Sequence, residues 1–148
     1  MGKLLIEGVS LKPLKQIVTS GGSVLRALKA SEKEFNDFGE AYFSLVDFGM
    51  IRAWKNHTEM TSNIIVPIGK IKFVLLDDQK DKANQSFEEI ILSRENYARL
   101  TIPPGIWFGF QGLAREENML LNLTNLEHQP SEAKHKEIDE FDYDWSLD

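Results

Sequence analysis

Beyond Gly39, apolar positions recur at every second residue through much of the chain, the spacing of strands with one buried face. The clearest case is 70–77, KIKFVLLD, where Ile71, Phe73 and Leu75 fall on one side and Lys70 and Lys72 on the other. The aromatic and β-branched stretches 40–48 and 50–57 predict two further strands, broken at Gly49. Residues 63–67 predict a strand paired with 70–77 across a tight turn at Pro67-Ile68-Gly69. Strands at 87–92 and 100–102 follow, the second stopped by Pro103. Residues 106–111 and 119–125 read as a hairpin around the charged loop 114–118. Nearer the start, Leu4-Leu5-Ile6 and Ile17-Val18 predict a β-rich arm around Pro13, and Gly21-Gly22 predicts a turn. Residues 23–29 fit a strand or a helix. Residues 31–38 predict a helical turn capped by Ser31, with Glu34 as its box partner. Residues 77–85 read as a solvated loop and 127–140 as polar surface, followed by aromatics able to dock on the body. Many short strands with Gly and Pro turns predict an all-β sandwich or barrel with minor helical turns.

The length of 148 residues suits one domain, 1–148, with 127–148 a polar C-terminal tail. A net charge of −6 argues against nucleic acid or an anionic membrane as partner, so any phosphorylated ligand needs a local cluster of Lys or Arg. The absence of cysteine excludes disulfides, thiolate nucleophiles and Cys-ligated metals. No run approaches the length of a membrane span and the N-terminus lacks a secretory pattern, which predicts a cytoplasmic protein.

One stretch is more specific. Residues 90–110 read IILSRENYARLTIPPGIWFGF: Leu92-Ser93, Glu95-Asn96, Leu100, then Ile102-Pro103-Pro104-Gly105-Ile106-Trp107-Phe108-Gly109-Phe110. This resembles the jelly-roll heart of the dTDP-4-dehydrorhamnose 3,5-epimerase family, a branch of the cupin superfold. Two weaker echoes are VPIGKIKFVLLD at 66–77 and MIRAW at 50–54, and the match runs from about Ser20 to Asn125. The resemblance implies an antiparallel double-sheet jelly roll and a homodimer, with the first residues and the 40–48 strand candidates for exchange. It implies a nucleotide-linked 4-keto-6-deoxyhexose as ligand. A histidine paired with an aspartate removes a proton beside the ketone, and a tyrosine on the other ring face reprotonates the carbanion. The ketone makes those protons acidic, so no metal or cofactor is required.

Carried over position by position, Arg52 keeps the family's arginine, while its glycine becomes Ala53 and its catalytic histidine Lys55. The family's later histidine falls on Phe108, its lysine on Asn63 and its tyrosine near Leu121. The early arginine motif is Thr19-Ser20-Gly21-Gly22, and the late aspartate, beyond the end of this chain, has no counterpart. The candidate catalytic residues are therefore His57 or Lys55 as base, two apart and on one strand face, and Tyr42 as acid. Arg52 shares that face only if the strand bulges. Candidate substrate contacts are Arg52, Asn63, Lys72, Trp54, Trp107 and Glu40. Lys72 and its neighbour Lys70 form either a phosphate floor or a solvated outer row. The three histidines make no His-x-His pair, and no metal is expected. The expected function is a sugar-nucleotide epimerase in surface polysaccharide or glycoconjugate synthesis; the alternative is a non-catalytic ligand-binding cupin that has lost the dyad.

Overall fold

The computed structural model describes residues 5–78 and 86–147. Twelve strands are found there: β1 Ser10–Pro13, β2 Gln16–Thr19, β3 Gly22–Leu25, β4 Glu40–Leu45, β5 Ile51–His57 and β6 Ser62–Ile68. They continue with β7 Lys70–Leu76, β8 Glu88–Ser93, β9 Ala98–Ile102, β10 Trp107–Gly112, β11 Met119–Thr124 and β12 Ala133–His135. Two antiparallel five-stranded sheets face each other. Sheet I has the order β1-β9-β6-β11-β4 and sheet II the order β12-β5-β10-β7-β8, while β2 and β3 form a separate hairpin. This is the double-sheet jelly roll, with only brief 3-10 turns at Pro130–Glu132 and Ile138–Glu140. Among the described residues no helix is long and apolar enough to cross a membrane.

The alternation along β7 becomes the layering of the sandwich. Ile71, Phe73 and Leu75 point between the sheets and meet Ile64, Val66, Leu100, Ile102 and Leu120 of sheet I. Each such buried side chain contributes about 1.5–3 kcal/mol. The other face of sheet II carries a second apolar cluster, Trp54, Val74, Leu76 and Trp107, roofed by Phe141, Tyr143 and Trp145. The aromatics near the C-terminus therefore do dock.

Two pairings expected from the sequence are absent. β6 and β7 are not partners: Gly69, at φ +83, turns the chain from sheet I into sheet II. Likewise β10 lies in sheet II and β11 in sheet I, so the 106–125 segment is a crossover rather than a hairpin. Short connections of this kind look alike in sequence whether the chain folds back or changes sheet. Residues 31–38 form turns without a helix, and Glu34 is engaged by the buried Arg99 rather than by a capping box. Glu32 also binds Arg99, which ties the 26–34 loop to the outer face of sheet I. The 23–29 stretch begins as β3 and then leaves regular structure. Most of the expected 77–85 loop lies outside the described residues.

Candidate functional site

Between the sheets, at the end bounded by β4, β5 and β12, lies a cavity of about 470 Å³. Sheet I contributes Tyr42 and Asn122, and sheet II contributes Arg52, Lys55 and His57. The floor is apolar, made by Ile64, Leu120, Phe108 and Phe110. His135 and Lys136, at and just beyond the end of β12, complete the rim.

Arg52, Lys55 and His57 line one cavity because β5 bulges. Phe108 of β10 pairs with Lys55 and Phe110 with Arg52, so a step of two on β10 matches a step of three on β5. The extra residue turns Arg52 onto the face that Lys55 and His57 occupy by ordinary alternation. The Ala53–Trp54 peptide within the bulge is cis. Opposite it stands Gly109, whose lack of a side chain leaves room for Ala53.

His57 is buried, its ring 6.0 Å from that of Phe108. Its Nδ1 lies 2.6 Å from Glu132 Oε1. The other oxygen of Glu132 accepts the backbone N–H groups of Glu59 at 2.9 Å and Met60 at 2.7 Å. Thr58 donates its N–H and its hydroxyl to the Glu132 carbonyl, at 2.9 and 2.7 Å. The carboxylate is thus held on both sides. It fixes the neutral imidazole with the proton on Nδ1 and leaves Nε2 as a proton acceptor. Burial lowers the His57 pKa below its ordinary value, against the opposing pull of Glu132. Burial pushes Glu132 up, but the hydrogen bonds from Glu59, His57 and Met60 outweigh it, and its pKa is lowered. Both shifts favour a neutral base beside an ionised partner.

Tyr42 reaches the cavity from the opposite sheet, and its hydroxyl accepts a hydrogen bond from Asn122 Nδ2 at 3.1 Å. Its own proton is left to donate. Burial raises the Tyr42 pKa, with Asn122 opposing and Glu40 reinforcing, so the phenol stays protonated. Lys55 is half-buried, and burial lowers its pKa while Glu132 raises it.

Of the residues singled out in the sequence, the fold brings together Tyr42, Arg52, Lys55, His57 and Trp54. Trp54 turns most of its ring into the outer aromatic cluster, where Nε1 donates to the Ile138 carbonyl at 3.0 Å. Four others are elsewhere. Asn63 accepts from Thr101 at 2.6 Å on sheet I. Lys72 lies beneath Tyr143 and Trp145, 5.1 and 5.5 Å from their ring centres, so it is no phosphate floor. Trp107 donates Nε1 to Asp78 at 2.8 Å in the outer cluster, and Glu40 accepts the His128 N–H at 3.0 Å. The fold adds Glu132, His135, Lys136 and Asn122, which sequence reasoning missed. Glu132 sits 75 positions from His57 in the stretch expected to be polar surface. Its only advance signal is that a buried histidine requires a partner. Among the described residues, no group of three or more His, Asp or Glu stands close enough to hold a metal ion.

No family model matches the chain. Among solved structures, a dTDP sugar isomerase from Desulfovibrio desulfuricans G20 is 34% identical, superposes with a TM-score of 0.89, and is matched over 97% of this chain and 95% of its own. A dTDP-4-dehydrorhamnose 3,5-epimerase from Sulfolobus tokodaii shares the fold at 23% identity and a TM-score of 0.80, over 95% of this chain and 84% of its own. The chain belongs to the dTDP-4-dehydrorhamnose 3,5-epimerase-like cupin family. A curated member of similar length is the probable low-salt glycan biosynthesis epimerase Agl13 of Haloferax volcanii, 26% identical over 125 residues, 82% of this chain and 80% of that protein. The expected histidine position holds Lys55, and the imidazole with a carboxylate partner is two residues further on.

Proposed function

We propose that the protein is a cytoplasmic, cofactor-independent sugar-nucleotide epimerase or isomerase acting on a nucleotide-linked 4-keto-6-deoxyhexose in surface polysaccharide or glycoconjugate synthesis. The observation that carries this is His57 of sheet II, paired with Glu132 of the 3-10 turn before β12, facing Tyr42 of sheet I across one cavity. His57 Nε2 takes a proton from the carbon beside the ketone, and Glu132 stabilises the resulting imidazolium. Tyr42 returns a proton from the opposite face, which inverts the centre. Arg52 and Lys136, at the rim of a chain whose net charge is −6, suit a diphosphate. Incubation with TDP-4-keto-6-deoxyglucose in D2O, followed by NMR, is expected to show deuterium entering at carbons flanking the ketone. The replacement of the family histidine by Lys55 favours a second reading, a cupin that binds the nucleotide sugar without turning it over. Binding with no deuterium incorporation selects that reading.

We further propose a homodimer. Phe43 and Leu45 are 63% and 53% exposed on β4, the edge strand of sheet I, and an apolar edge of this kind calls for cover. Light scattering on Phe43→Asp is expected to show a monomer where the wild type is a dimer.

A further inference from the structure

Asn122 of β11 stands directly across from Tyr42 of β4, and strand alternation turns both side chains into the cavity. An amide is costly at this position. Leu120 precedes it on the same face, Ile64 lies opposite on β6, and Asn122 itself is only 5% exposed. Its Nδ2 donates to the Tyr42 hydroxyl at 3.1 Å and to Ser62 Oγ at 3.4 Å. Its Oδ1 is buried with no hydrogen-bond partner among the described residues. A leucine would fill the same space and leave no polar atom orphaned. What leucine lacks is the N–H aimed at Tyr42. That phenol sits on the edge strand of sheet I, and among the described residues its hydroxyl has no other hydrogen-bond partner.

A phenolic O–H lies in the plane of its ring, because the oxygen is conjugated with it, so the hydrogen points to one side of the oxygen or the other. An N–H donated to one side leaves the hydrogen on the other. We propose that Asn122 is the positioning residue for the return of the proton, its N–H directing the Tyr42 hydrogen toward the sugar ring and holding the phenolate that remains. The inference rests on the epimerase reading above. In that step the Tyr42 O–H bond breaks and its electron pair stays on oxygen. The π pair of the enolate forms the new C–H bond, the ketone closes, and the phenolate takes a proton from solvent. A hydrogen bond to an ionised oxygen is stronger than one to a neutral oxygen, so the amide helps most as the proton leaves. Burial raises the Tyr42 pKa, and the Asn122 hydrogen bond opposes it.

The test follows TDP-4-keto-6-deoxyglucose in D2O with wild type, Asn122→Leu and Asn122→Asp. It reads, by NMR, the ratio of inverted to retained sugar among the molecules that take up deuterium. Leucine keeps the shape without the donor. Ionised aspartate offers only acceptor oxygens, which draw the Tyr42 hydrogen to themselves. The ratio is expected to fall about ten- to a hundredfold in the Leu variant and at least as far in the Asp variant. Loss of a contact that served only the fold would slow both products together and leave the ratio where it was. A second readout uses Tyr42→Phe as background. There, adding Asn122→Leu is expected to change the ratio less than about twofold, because the amide acts through the hydroxyl alone. If Asn122→Leu does not fold, Asn122→Ala carries the same comparison. A ratio within about threefold of wild type in either single variant overturns the role of Asn122 and leaves the epimerase reading standing. A wild type that binds TDP yet incorporates no deuterium overturns both.

Discussion

Gly109 presses so closely on the bulge of β5 that a Cβ there would lie 2.6 Å from the Cβ of Ala53. It would also lie 3.1 Å from the Arg52 carbonyl oxygen. The glycine on β10 thus allows the bulge that gathers Arg52, Lys55 and His57 on one face. Gly109→Ala is expected to displace it, costing about 1–3 kcal/mol of stability. Urea unfolding measures the loss, and the D2O assay is expected to show exchange falling more than stability alone accounts for. An unchanged midpoint and unchanged exchange would show that the bulge does not depend on this contact.

Tyr42→Phe separates proton removal from inversion. His57 and Glu132 remain, so a proton still leaves and returns on the His57 side. The expected result is deuterium incorporation with retention, and epimerised product reduced by about a hundredfold or more. NMR coupling constants of the recovered sugar distinguish the two. Full inversion in the Phe variant would remove Tyr42 from the mechanism.

Glu132→Gln keeps the shape of the carboxylate but only one of its oxygens. That oxygen satisfies either the His57 Nδ1–H or the N–H groups of Glu59 and Met60, not both. Stability is expected to fall by about 1–3 kcal/mol. Since Glu132 raises the His57 pKa, its loss lowers that pKa further. The acid limb of the pH–rate profile then moves to lower pH, and an unmoved limb in Glu132→Gln would show that the carboxylate does not set the His57 titration.

Acid stability has a separate origin on the far face of sheet I. The Lys12 side chain, the Lys29 N–H and Arg99 hold Glu32 down to a pKa of about 2 from 4.5, against the effect of burial. A depressed carboxylate stabilises the fold fully above its unfolded pKa and loses that contribution as pH falls toward the folded one. Wild type is therefore expected to lose stability between about pH 4.5 and pH 2 more steeply than Glu32→Gln. Denaturant titrations at pH 7, 4.5 and 3 test this; parallel curves for the two proteins would locate the acid sensitivity elsewhere.

The strands were legible because one buried face imposes a period of two, as in Ile71, Phe73 and Leu75. Pro103 ended β9 as expected, since it follows Ile102 directly. Which strands pair was less legible. Gly69 between β6 and β7 carries a turn signal whether the chain reverses within a sheet or crosses to the other. His57 and Lys55 were placed together by alternation alone, whereas Arg52 joined them through a bulge that residue type does not announce. Glu132 was invisible because it stands among charged residues, and its burial depends on β12 pairing with β5. The resemblance implied a histidine paired with an aspartate, and the carboxylate found beside His57 is that of Glu132.

The C-terminal segment links proton chemistry to the order of synthesis. Glu132 arrives with it, and so does the aromatic roof of Phe141, Tyr143 and Trp145. Until these residues are made, His57 has no carboxylate partner and Trp54 and Trp107 have no cover. At about 5–20 residues per second the 132–145 stretch takes on the order of a second to synthesise, so the proposed base gains its partner only after the strand that carries it has been made.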